Sequence, residues 1–245
     1  MEHSEWYKDW FNSKYYHLLY SHRDVNEAGF FISNLVNFLQ LPSNSVLWDN
    51  ACGKGRHSSV FAQYGYKVIG TDICPENINS ANQKYASQNV QFFIHDMRRE
   101  FYQNYFDLCV NLFTSIGYFQ YDYENQKVIK VMSNSLKKGG YLLIDFFNPK
   151  YVVQNIVPHE TKVIEGVVFE INRFIQDGFV IKKIQVIESN QKLNFEERVK
   201  LYNKEFFITE MNKNNIEVIN LFGDYDLSTF NENLSKRMIF LGRKV

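Results

Sequence analysis

The sequence predicts an α/β fold, a doubly wound sheet of seven strands with a small antiparallel β insert after the fifth strand. Three observations predict it. Between residues 45 and 149, short apolar runs alternate with amphipathic segments, the pattern of a parallel sheet buried between helices. After Pro149 the helical segments stop, and apolar residues alternate singly with polar ones. Near the end a helical segment and two more apolar runs return.

The elements follow in order. Residues 5–41 read as helical, with Phe30, Phe31, Leu35, Phe38 and Leu39 at three- and four-residue spacing, so that 1–42 forms an N-terminal helical cap. Pro42-Ser43-Asn44 breaks it. The core then spans 43–150 and 203–245. Its first five strands are Val46-Leu47-Trp48, Lys67 to Gly70, Val90 to Ile94, Phe106 to Val110 and Tyr141 to Ile144. Helical periodicity occupies Pro75 to Ser87 and Glu124 to Leu136, the latter stopped by Gly139-Gly140.

The insert, 151–202, reads as three strands: Val167 to Phe174, Phe179 to Glu188 and Lys192 to Tyr202. Asp177-Gly178 between the first two is a tight hairpin signal. In the third, Leu193, Phe195, Val199 and Leu201 share one face and Asn194, Glu196, Arg198 and Lys200 the other. Such a one-sided sheet suits a lid over a site, or an edge that pairs with a second copy in a homodimer. A helix (Lys204 to Asn214) and two strands (Ile216 to Phe222, Arg237 to Leu241) complete the chain, the last two as an antiparallel hairpin at the sheet edge.

Composition narrows the function classes. With 45% hydrophobic residues among 245, the chain holds a substantial core. Lys+Arg (27) equal Asp+Glu (27), so the net positive charge that draws a protein to nucleic acid is missing, and no nucleic-acid partner is expected. The basic pairs Arg98-Arg99 and Lys137-Lys138 read as solvated helix ends. Three cysteines, Cys52, Cys74 and Cys109, show neither disulfide-framework nor zinc-site spacing, so no metal is expected and a reducing cytoplasm fits. No run nears the ~18 apolar residues of a membrane span, and no leader pattern opens the chain.

In an open parallel sheet, ligands sit at the carboxyl ends of the strands where strand order reverses. The turn after the first strand is Asp49-Asn50-Ala51-Cys52-Gly53-Lys54-Gly55. Ala51, Gly53 and Gly55 let its backbone bend sharply toward a ligand, and the following helix offers free N–H groups to a carboxylate. Asp49 is placed for an ammonium group. Asp72, ending the second strand, can accept from both hydroxyls of a ribose. After the third strand, Asp96 can accept from an exocyclic amine and Met97 can lie against a purine. The fourth strand ends in Asn111-Leu112-Phe113-Thr114-Ser115, whose carbonyls can flank a positive centre.

These residues resemble the class I S-adenosylmethionine-dependent methyltransferases, which have a Rossmann-like sheet, and among them the small-molecule group that includes the amino-sugar N,N-dimethyltransferases. The resemblance rests on the turn from Asp49 to His57, Gly70-Thr71-Asp72, His95-Asp96-Met97-Arg98, Asn111 to Phe119, and Leu221-Phe222-Gly223-Asp224-Tyr225-Asp226. It implies S-adenosylmethionine as cofactor, held by Asp49, Ala51, Gly53, Gly55, Asp72, Ile73, Asp96, Met97, Asn111, Leu112 and Phe113. It extends to Tyr15 to Asp24, implying that Tyr16, Tyr20 and Arg23 touch the cofactor. Ala51 stands where many relatives have glycine.

The implied reaction is in-line methyl transfer to a nitrogen or oxygen of a small molecule, with positioning as the main contribution. No catalytic base is named by the sequence, and Tyr118 and Asn148 are the candidates for the substrate side. Two other readings stay open: a non-catalytic relative that binds the same cofactor, and, after it, a nicotinamide-dependent oxidoreductase. Against the latter, Ser58 occupies the third position after Gly55, so G-x-G-x-x-G is not met. His57 and Cys52 read as packing residues.

Overall fold

The structure is a computed structural model that describes residues 5–21, 25–189 and 191–245. Two sheets organise it. The main sheet contains β1 (Val46–Asn50), β2 (Lys67–Asp72), β3 (Val90–Ile94), β4 (Phe106–Asn111), β5 (Leu136–Phe147), β10 (Ile216–Phe222) and β11 (Arg237–Lys244) in the order β10-β11-β5-β4-β1-β2-β3. All neighbours from β5 to β3 run parallel, and β11 is antiparallel to both β5 and β10. Strand order reverses between β1 and β4, which opens a crevice at their carboxyl ends.

Side chains on alternate positions of each strand feed two cores. Trp48, Phe106 and Ile144 face α6 (Asp122–Ser135) and α8 (Lys204–Lys213), where they pack with Val128, Met132 and Phe207. Leu47, Val68, Val110 and Leu143 face α3 (Val25–Leu39), α4 (Arg56–Gln63) and α5 (Pro75–Tyr85). The buried stripe of α3 is Ala28, Phe31, Ile32 and Leu35. Phe30 and Phe38, expected on that stripe, are 55% and 47% exposed, because a helix of 3.6 residues per turn rotates them off the buried face.

The helical stretch expected at 5–41 is three helices among the described residues: α1 (Trp6–Asn12), α2 (Lys14–Leu19) and α3. Ser13 separates the first two, its hydroxyl accepting from Tyr15 N–H at 3.1 Å as an N-cap. Trp10, Tyr15 and Leu19 pack on the second sheet, whereas α3 packs on the main one.

That second sheet has four strands, β6 (His159–Ile164), β7 (Val167–Gln176), β8 (Phe179–Glu188) and β9 (Gln191–Lys200), in sequence order and all antiparallel. β6 is a strand that the three-strand expectation lacks. It is an edge strand without a buried residue, so its sequence carries little apolar alternation. Helix α7 (Pro149–Gln154), also unforeseen, precedes it and likewise buries nothing. Two boundaries move as well. β5 begins at Leu136, before Gly139 and Gly140, which lie within the strand rather than ending the helix, and β11 runs on to Lys244.

Candidate functional site

The turn after β1 adopts the left-handed backbone that its glycines allow. Gly53 and Gly55 have φ of 56° and 78°, and Ala51, at 62°, holds the same conformation with a side chain. Space as well as torsion demands glycine at 55: a Cβ there would meet Phe92 Cζ at 2.5 Å, whereas one at Gly53 meets nothing within 4 Å. The turn is tied to β2 by Cys52 N–H donating to Thr71 O at 2.9 Å. Helix α4 starts immediately after Gly55, which has no side chain to cap it, and the Asp49 carboxylate accepts from Ser58 N–H in its first turn.

The carboxylates expected at the strand ends stand around this turn. Asp49 is buried and accepts from Ser58 Oγ at 2.6 Å. Burial raises its pKa to about 6, partly offset by the Ser58 hydroxyl. Asp72 accepts from Gly53 N–H and Cys74 N–H, each at 2.9 Å. Burial raises its pKa too, against the pull of those two N–H groups. Asp72 thus braces the turn from the neighbouring strand.

Asp96 is engaged by Arg98, whose Nη2 lies 2.6 Å and Nε 3.0 Å from its carboxylate oxygens. Burial would raise the Asp96 pKa, but the guanidinium prevails and holds it below the ordinary carboxylate value. Arg98 also meets Glu124 at 2.7 Å, Glu5 at 3.6 Å and the Phe119 ring. It is therefore no solvated helix end: it lies in a turn and ties α1 and α6 to the end of β3, three long-range partners that local sequence does not display. Lys137, from the other basic pair, lies in β5 and meets Asp107 at 2.7 Å. Ile73 and Met97 are half-buried against the apolar core.

At the crevice itself, Asn50 and Asn111 end β1 and β4. Both are fully buried, and Asn111 Nδ2 donates to Asn50 O at 3.0 Å. Asn50 Nδ2 and Oδ1 and Asn111 Oδ1 have no hydrogen-bond partner among the described residues. Unpaired buried amides cost free energy unless a ligand or water completes them. They suit a polar ligand lodged between the two strand ends.

Beyond Asn111 the chain passes through buried Leu112 to Phe113 and Thr114, with φ of 64° and 65°. Two consecutive non-glycine residues there cost about 1–3 kcal/mol each and persist only where surroundings impose them. Here Asp145 of β5 imposes them. Its Oδ2 accepts from Phe113 N–H at 2.9 Å and its main-chain carbonyl from Thr114 N–H at 3.1 Å. Arg237 Nε donates to Asp145 Oδ1 and its Nη2 to Thr114 Oγ1 at 3.1 Å, while Tyr225 donates to Asp145 Oδ2 at 3.2 Å. Sequence reasoning missed Asp145 and Arg237. Tyr225, within the Leu221–Asp226 motif, was the one available signal.

The remaining candidates lie as follows. Tyr16 packs against Trp10, Phe11 and Tyr20. Tyr20 donates to Glu197 Oε1 of β9 at 2.7 Å and meets Lys182 of β8, tying α2 to the second sheet. Arg23 lies outside the described residues. Tyr118 stacks edge-on with Trp6 of α1, beside Gly117, whose carbonyl accepts from Lys200 N–H of β9 at 2.9 Å. Asn148 caps α7, accepting from Lys150 N–H at 3.1 Å and donating to Ser235 O and Glu232 O at 2.7 and 2.9 Å. His57 is buried and its pKa is pushed well down by burial, so it stays neutral.

Residues 48–144, from the first strand through the fifth, match the family described as Methyltransferase domain. Those residues are thus similar to a methyltransferase domain. The chain is 28% identical over 123 residues to YqeM of Bacillus subtilis (strain 168), whose own designation as a methyltransferase is provisional. That match spans 49% of each chain, about half the length of the curated relative. Solved structures share the fold over nearly the whole length. An S-adenosylmethionine-dependent methyltransferase from Clostridium acetobutylicum ATCC 824 superposes with a TM-score of 0.80 at 18% identity, over 94% of this chain and 96% of that one. The sugar N-methyltransferase KedS8 from Streptoalloteichus sp ATCC 53650 gives 0.74 at 20% identity, over 94% and 92%. CalS10, an amino pentose methyltransferase from Micromonospora echinaspora solved with S-adenosylmethionine bound, gives 0.72 at 17% identity, over 95% and 98%.

Proposed function

We propose that this protein transfers the methyl group of S-adenosylmethionine to a nitrogen or oxygen of a small molecule. The observation that carries this reading is the convergence of a left-handed turn, the start of α4 and the carboxylates Asp49 and Asp72 on one crevice at the strand reversal. The unpartnered Asn50 and Asn111 amides fit a polar ligand in that crevice. Asp49 would take the ammonium group, α4 N–H groups the carboxylate, and Asp72 the ribose. Ile73 and Met97 would flank the adenine, with Asp96 near its amine. When bound, the cofactor supplies a methyl group on an electrophilic sulfonium. The protein's share is then to orient the acceptor behind that carbon and exclude water.

The acceptor side is framed by Phe113, Tyr118 and the aromatic residues of α1 and α2. The second sheet closes over it as a lid, a role supported by the Lys200–Gly117 and Tyr20–Glu197 hydrogen bonds. The sugar N-methyltransferase and amino pentose methyltransferase folds favour an amine-bearing sugar as first acceptor to try. Net neutrality again gives nucleic acid no electrostatic foothold. No helix among the described residues is long and apolar enough to cross a membrane. Calorimetry with S-adenosylmethionine and S-adenosylhomocysteine tests the cofactor assignment, and binding of neither sinks it. Incubation with a labelled methyl donor and a panel of amino sugars and other amines and hydroxyl compounds tests the acceptor. A labelled product identifies it, whereas cofactor binding with no product from any acceptor class would favour a binding protein.

A further inference from the structure

Asp145 is fully buried at the carboxyl end of β5, beside the crevice. A buried ion pair with Arg237 alone would be an ordinary structural feature. What sets this one apart is where its other hydrogen bonds go: both oxygens of the carboxylate and the main-chain carbonyl are occupied, two of the bonds coming from the left-handed residues Phe113 and Thr114. In a trans peptide, N–H and C=O point in opposite directions, and the described chain contains no cis bond. The N–H groups of Phe113 and Thr114 point to Asp145 on β5. The carbonyls of Leu112 and Phe113 therefore point away from β5. Since β4 lies between β5 and β1, that direction is the β1 side, where the Asp49–Gly55 turn stands.

We propose that Asp145, oriented by Arg237 and Tyr225, is a positioning residue that aims the Leu112 and Phe113 carbonyls at the sulfonium of the cofactor. This rests on the methyltransferase reading above. Two fixed carbonyl dipoles facing a cationic sulfur favour the charged donor over the neutral thioether that remains after transfer, and preorganised dipoles lose nothing to reorientation. Asp145 thereby tunes discrimination between methyl donor and spent product, so that the product leaves more readily. Arg237 Nη2 on Thr114 Oγ1 holds the same loop from its other side.

The test is titration calorimetry of the full chain with S-adenosylmethionine and S-adenosylhomocysteine in parallel. Asp145→Asn is expected to weaken S-adenosylmethionine at least about tenfold while changing S-adenosylhomocysteine by about twofold or less. Tyr225→Phe, which removes one hydroxyl and keeps the ion pair, is expected to shift the affinity ratio about threefold in the same direction. A merely structural role would lower both affinities together. Parallel losses, or an unchanged ratio in Tyr225→Phe, overturn the proposal, and Tyr225→Phe decides it if Asp145→Asn does not fold. Wild-type protein that binds neither ligand overturns the methyltransferase reading itself, an outcome distinct from one where it binds both and the variants keep the wild-type ratio.

Discussion

The two sides of the crevice are built by different means. On the β1–β2 side, contacts are short in sequence: Ser58 reaches Asp49 nine residues away, Gly53 reaches Asp72 across nineteen, and Cys74 reaches it across two. On the β4–β5 side, Asp145 gathers Phe113, Tyr225 and Arg237 from 32, 80 and 92 residues away, and Arg237 meets Thr114 across 123. The first side is a local motif braced by one neighbouring strand. The second is a tertiary assembly whose backbone strain is balanced by a buried charge pair. A turn can be held by a short motif, while a strained loop draws its partners from any part of the chain that folding brings beside it.

Breaking the second side should cost most. Asp145→Ala leaves Arg237 buried without its counter-charge and should lower stability by about 3–5 kcal/mol in urea unfolding. The double change Asp145→Leu with Arg237→Met should recover most of that. A loss below about 1 kcal/mol in the single variant would remove the contrast between the two sides. Within the local motif, Gly55→Ala should cost about 2–4 kcal/mol, since its Cβ meets both torsional strain and Phe92. Gly53→Ala, strained but unobstructed, should cost about 1–2 kcal/mol. Equal losses at the two glycines would mean that Phe92 yields freely.

Smaller effects sharpen the binding roles. Asp72→Ala should weaken S-adenosylhomocysteine by about 1–3 kcal/mol, and unchanged affinity would place the ribose elsewhere. The pH dependence reads Asp49. Its carboxyl titrates at about 6 in the folded protein, so it is charged for an ammonium above that pH, and affinity should fall about tenfold per unit below it. Stability runs the other way. The folded state holds this proton more tightly than the unfolded chain, so the Asp49 contribution to stability declines as pH rises from 3.8 to about 6 and is level above. Asp49→Asn should abolish both trends.

Sequence alone determined the element order of the main sheet, the glycine turn and the strand-end carboxylates, because each depends on periodicity or on residues a few positions apart. Its misses share one physical cause. β6 and α7 bury nothing and so carry no apolar pattern, and Arg98 looked like a surface cation because Glu5, Phe119 and Glu124 meet it only through folding. Asp145 and Arg237 sat inside strands as isolated charges with no local signature. Only the tertiary structure decided that they meet, that Asn148 caps α7, and that Phe113 and Thr114 adopt a left-handed path. Those outcomes depend on which strands lie side by side, and a buried charge or a strained torsion is stable only once its distant partner has been brought against it.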